Sequence, residues 1–211
     1  MLLRDIASAE SALFLKSEYG PLSDFWPAVA FSSPQVKKKI DRTYRAGLDF
    51  ILYTGTTGSR TRSPEDRGKL LSLVRLDPMK LWRTEQLVPA SSWQWAQEHY
   101  PRQWEYAFGV LEGWNIVERP RSSDLLPDSY AKMGRYPFRG SVVAIEPAEK
   151  QRVLDLRLEQ VILPNRRPLT QSLTLDFLPR NDDLNRDANR IADLVFNRVT
   201  ASGSWCPVWH P

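Results

Sequence analysis

Two apolar runs separated by a long basic loop, FILYTG at 50–55 and GKLLSLVRL at 68–76, constrain the fold of this chain more than any other stretch. Their β-branched, leucine and aromatic content predicts a pair of strands, with Gly55, Gly58 and Gly68 supplying the turns. The loop between them carries Arg60, Arg62 and Arg67, and it is too long and too basic to serve only as a turn. Loops of this kind on a rigid sheet concentrate binding function, and a cationic one favours anionic ligands.

Periodicity extends the reading along the chain. A weak helical period through Leu2, Ile6, Ala9, Leu13 and Phe14 predicts a helical segment over 1–18. A strand is expected at 25–31, then a basic helix over 36–46 entered through Ser32-Ser33-Pro34 and ended by Gly47. A short extended piece at 81–88 precedes a helix over 93–100, capped by Ser91 or Ser92 and closed by Pro101. Residues 104–117 read as a long or bent strand, with Gly109 and Gly113 as bulge positions and the even-numbered positions forming one aromatic face. An irregular proline-punctuated segment is expected at 120–139, a strand at 141–145, a helix from Pro147 to about 161, a strand at 172–177 and a helix at 184–199. Short strands mixed with helices give the fold class, an α+β domain on a curled mixed sheet. The expected organisation is an N-terminal helical segment (1–24), a core domain (25–160) and a C-terminal extension (161–211).

At 211 residues the chain can bury a sizeable core, and eight tryptophans must largely occupy it. Lys and Arg total 29 against 25 Asp and Glu, a net charge of +4. The cations cluster at Lys37, Lys38, Lys39, Arg42 and Arg45, in the loop, at Arg119 and Arg121, at Arg135 and Arg139, and at Arg166 and Arg167. Such clusters form either a solvated face or a nucleic-acid footprint. The single cysteine, Cys206, rules out a disulfide framework and fits a reducing, cytoplasmic setting. The first residues lack the continuous apolar run of a signal peptide, and no later stretch has the length to span a bilayer.

One cysteine and two histidines, His99 and His210, do not supply a zinc site, and no phosphate-binding loop, dinucleotide fingerprint or nucleophile elbow occurs. No cofactor is implied. The ingredients of a metal-dependent nuclease would be Asp49, Asp77, Glu146 and Lys150, although their spacing matches no compact acidic motif. Aromatic rings interleaved with arginine do accumulate, among them Trp26, Phe31, Tyr53, Trp82, Trp93, Trp104, Tyr106 and Trp114. Rings and guanidinium groups together are the chemistry of base stacking and phosphate attraction.

The order of these landmarks resembles the EVE family of the PUA-like superfamily. The match runs through WPAVAF, the Gly47-x-Asp49 step into FILYTG, then GKLLSLVRL, WEYAFGVLEGWNIVERP and GSVVAIEPAEKQRVL, from Phe25 to Leu156. The resemblance implies a pseudo-barrel with surrounding helices and a pocket for a modified base, 5-methylcytosine being one such base, flipped out of a nucleic acid, DNA before RNA. Its pocket positions would be Trp26, Ser32, Ser33, Tyr53, Thr54, Gly55, Trp104 and Tyr106. The phosphate contacts would come from Lys37, Lys38, Arg42, Arg60, Arg62, Arg67, Arg121 and Arg135. The expected function is a non-catalytic reader acting alone or beside a nuclease or other effector protein. Two alternatives are a nucleic-acid-processing enzyme on the same fold and a protein-interaction module using Trp205 and Trp209 of the tail.

Overall fold

The two apolar runs pair as antiparallel neighbours at the centre of an eight-stranded sheet. The computed structural model describes residues 1–58, 61–135 and 141–163, all within one unit, Met1–Asn165. The strands are β1 (Leu13–Glu18), β2 (Ala28–Phe31), β3 (Phe50–Gly55), β4 (Leu70–Leu76), β5 (Trp82–Arg83), β6 (Tyr106–Ile116), β7 (Val143–Ala144) and β8 (Leu158–Gln160). Their order is β2-β6-β4-β3-β1-β7, with β5 and β8 also pairing with β6, and the mixed sheet curls into a half-barrel. β1 runs parallel to β3, with Leu13 opposite Phe50 and Lys16 opposite Tyr53, and the other pairings are antiparallel.

All six residues of β3 are buried because both faces of the sheet are covered, as expected of a central strand. Phe50 and Leu52 join one core with Leu13, Leu15, Trp114 and Val153, and Ile51 and Tyr53 join a second core with Phe14, Phe108, Val36 and Ile40. The first face carries helices α3 (Ser122–Leu125), α4 (Pro127–Met133) and α5 (Pro147–Val153). The second carries α1 (Val36–Thr43), and α2 (Ala90–His99) lies beside a smaller core at Ala28, Ala30 and Ala107.

The helix expected over 1–18 does not form. A 3-10 turn at Leu3–Asp5 is followed by β1, whose Leu13, Phe14 and Leu15 bury on alternate faces between β3 and β7. Sheet pairing overrides a weak helical period there. The helix from Pro147 stops at Val153, because the residues after it supply β8 to the open edge of β6. The segment expected to be irregular, 120–139, contains α3 and α4. Pro127 sits in the first turn of α4, and the carboxylate of Glu149 on α5 accepts from Asp128 N at 2.8 Å and Ser129 N at 3.1 Å. That cap comes from a distant helix, so no local signal announces it. α2 begins at Ala90, so Ser91 and Ser92 lie inside its first turn and do not cap it.

The even-numbered positions of β6 do not hold one face. A register shift opposite Arg75 and Leu76 turns the strand over, so Phe108 packs in the second core while Trp114 and Ile116 pack in the first. At the foot of the basic loop Gly55 admits no side chain, since a Cβ would lie 1.9 Å from the Asp66 carbonyl oxygen. The strand expected at 172–177, the helix at 184–199, Cys206 and the tail tryptophans lie outside the described residues.

Candidate aromatic pocket

β1 ends in LKSEYG, and alternation places Lys16 and Glu18 on the same face. The parallel register sets Tyr53 beside Lys16 on that face. The three side chains are nearly sealed, at 5%, 6% and 2% exposure. The Lys16 ammonium bonds Glu18 Oε1, donates to the Ser17 carbonyl at 3.3 Å and lies 4.7 Å from the centre of the Phe31 ring. Burial pushes the Glu18 carboxyl above the usual carboxylate range, against the opposing pull of Lys16. Burial and the neighbouring Glu18 also push the Tyr53 phenol well up. Its hydroxyl has no hydrogen-bond partner among the described residues.

Above this floor the chain builds a wall of rings. Glu18 and Tyr53 line one open pocket with Tyr19, Gly20, Pro21, Phe25, Trp26, Arg62, Trp95 and Trp104. Trp104 meets Tyr19 at 4.7 Å, Tyr100 at 5.3 Å and Trp26 at 5.7 Å, edge to face, and Phe25 meets Trp95 at 5.6 Å. Trp104 holds this position with a left-handed backbone, φ 55°, an outlier for so bulky a residue. Its amide donates to Ser32 Oγ at 3.4 Å, which ties the end of β2 to the start of β6. Strained conformations of this kind concentrate at binding sites.

Arg62 stands at the mouth. Its amide donates to the Tyr19 carbonyl at 2.7 Å, and its guanidinium lies 4.0 Å from the centre of the Phe25 ring and 5.9 Å from that of Trp95. The cavity is small, about 40 Å3, room for a few waters.

Of the residues expected in the pocket, the structure brings together Trp26, Tyr53 and Trp104. Ser32 holds the Trp104 amide, and Ser33 Oγ accepts from the Gln35 amide at 3.3 Å before α1. Thr54 faces the other way, sharing a 2.5 Å hydrogen bond with Ser122, and Gly55 serves the loop closure. Tyr106 lies outside the lining, under the Arg83 guanidinium at 4.7 Å.

The expected phosphate-contacting cations divide. Arg62 lines the pocket, Lys38 and Arg42 share a second, basic concavity with Lys39, and Lys37 pairs with Asp41 at 2.5 Å. Arg67 is exposed on the loop, and Arg60 lies outside the described residues. Arg121 and Arg135 flank α3 and α4, which cover the sheet face opposite Tyr53. Glu18, Tyr19, Phe25 and Trp95 were missed. For Glu18 the signal was present, a Lys-x-Glu step inside an apolar run, but it was hidden by the helical reading of 1–18.

The ingredients of a metal-dependent nuclease are used elsewhere. Asp49 accepts from Ala12 N at 2.8 Å and Arg45 N at 2.8 Å, joining α1 to the sheet. Lys150 donates to the carbonyls of Ser8, Ala9 and Ser11, Glu146 pairs with Lys132, and Asp77 accepts from the Met79 amide at 3.0 Å. Among the described residues no group of three histidine, cysteine or acidic side chains converges as a metal site. No helix among them is long and apolar enough to cross a membrane. No family model, curated protein or solved structure matches the chain.

Proposed function

We propose that this chain is a non-catalytic nucleic-acid-binding module that receives a modified base, extruded from its strand, in the aromatic pocket. The observation that carries the reading is the convergence of Trp26, Trp95, Trp104 and Phe25 over a floor of Glu18 and Tyr53, with Arg62 at the entrance. A flipped base is held between aromatic or apolar walls while a few polar groups read its edge. The walls here supply the stacking, and the second oxygen of Glu18 and the Tyr53 hydroxyl supply the polar edge. A cavity of about 40 Å3 admits a base only as the Arg62 guanidinium leaves the Phe25 ring. On leaving it turns toward the backbone phosphates, and Lys38 and Arg42 of the basic concavity supply further phosphate contacts. The half-barrel suits the PUA-like, EVE-like reading of the landmark order, and the module acts on DNA in this proposal.

The test is a titration of the full chain with labelled DNA and RNA oligonucleotides of one sequence, carrying one modified base, its unmodified parent or an abasic site, at about 50 and about 200 mM salt. Binding should weaken at the higher salt for every probe, and the modified base should bind tightest. Trp104→Ala should remove that preference and leave the salt-dependent part. Equal affinity for modified, unmodified and abasic probes, unchanged in Trp104→Ala, would falsify the reading.

A further inference from the structure

The geometry points to a base carrying delocalised positive charge, of the kind made by ring-nitrogen methylation of guanine or adenine, as the ligand of the aromatic pocket. This rests on the base-binding reading and adds the charge of the base. Aromatic rings make up most of the pocket lining, and the cation among the lining residues, Arg62, stands at the entrance. Phe25 and Trp95 turn the negative side of the ring quadrupole toward a cation, and the Glu18 carboxyl, tied to Lys16, lies at the floor. The site already holds a planar delocalised cation, since the Arg62 guanidinium lies against Phe25 and Trp95.

A ligand that displaces Arg62 has to replace what Arg62 gives those rings. A neutral base supplies stacking alone, and it leaves the ring faces without their cation. A cationic base supplies both, so the exchange keeps the local charge balance. Lys16 does not substitute for it: the ammonium is sealed at 5% exposure under the Phe31 ring, is tied to Glu18 Oε1, and lies outside the pocket lining. The second Glu18 oxygen makes no hydrogen bond among the described residues, so it is available for an edge N–H made more acidic by the positive charge.

The experiment compares pairs of otherwise identical single-stranded oligonucleotides in which methylation does or does not add charge. Guanine against 7-methylguanine and adenine against 1-methyladenine add it; cytosine against 5-methylcytosine does not. The full chain should bind each charged member about tenfold tighter than its parent, the size of a partly desolvated cation–π contact, and show no gain for 5-methylcytosine. Phe25→Leu keeps an apolar wall but removes the ring face, so it should weaken binding of the charged bases more than that of the neutral ones and erase their advantage. A gain for 5-methylcytosine equal to that for 7-methylguanine overturns the charge inference and leaves the base-binding reading standing, as does an advantage that survives in Phe25→Leu. Failure of every base to exceed an abasic probe overturns both. Tighter binding of a dimethylarginine peptide than of any oligonucleotide also overturns both, in favour of a protein-tail reader.

Discussion

The central carbon of the Arg62 guanidinium sits over the Phe25 ring, 4.0 Å from its centre, while the Arg62 amide is anchored to the Tyr19 carbonyl. That hydrogen bond holds the backbone, so in the proposed complex the head group is the part that has to move. Arg62→Ala should lower affinity for all oligonucleotides alike and flatten the slope of log K against log salt by about one. The ratio of modified to unmodified affinity should stay. A changed ratio with an unchanged slope would place Arg62 in base reading instead.

Trp104 combines a useful side chain with an unfavourable backbone. Removing the ring loses its contacts with Tyr19, Trp26 and Tyr100, but an alanine still occupies the left-handed region at φ 55°. Glycine adopts that region without the penalty, so Trp104→Gly should be more stable than Trp104→Ala by about 1 kcal/mol. Urea unfolding of the two variants measures the difference, and a glycine variant less stable than the alanine one would refute the strain.

Tyr53 should separate stability from binding. Its buried hydroxyl contributes no hydrogen bond to the fold among the described residues, and a buried unsatisfied group costs about 1–3 kcal/mol. Tyr53→Phe should consequently melt at the same temperature as the parent or higher. In the proposed complex the hydroxyl meets the base edge, so the same variant should lose preference for the modified base. A lower melting temperature would show that the hydroxyl supports the fold.

The Lys16–Glu18 pair gives a pH signature. The folded-state pKa of Glu18 is raised by burial, so the folded state holds the proton more tightly than the unfolded chain does. The resulting stability is complete below the ordinary glutamate range and is lost as pH rises through the raised folded value. A Lys16→Met, Glu18→Gln double variant lacks this titration. Its stability relative to the parent should therefore improve as pH climbs from about 4 toward neutrality. Denaturant unfolding across that range checks the sign, and a parent that gains on the variant would reverse it.

The strands were legible where the sequence repeats its own geometry. FILYTG and KLLSLVRL are long, apolar and bounded by glycine, and they form β3 and β4 within a residue or two of their expected limits. β1 was not legible, because its partners are far away in the chain and its short apolar run fits a helical period as well as a strand. The site shows the same division. Trp26, Tyr53 and Trp104 followed from the order of landmarks, whereas Glu18, Phe25 and Trp95 meet them only through a parallel pairing and the packing of α2, which no local pattern encodes. Arginines that cluster along the chain also separate in space, with Arg62 at the pocket and Arg121 beyond the opposite face of the sheet.

The parallel pairing of β1 with β3 has a practical consequence for anyone wishing to borrow the pocket. Its floor is assembled from two strands that a helix and a further strand separate in the chain, and its walls arrive from the β1–β2 connection, from α2 and from Trp104, two residues before β6. No peptide cut from this protein contains the binding unit, and no loop graft onto another scaffold would carry it. Transplanting the specificity means transplanting the sheet.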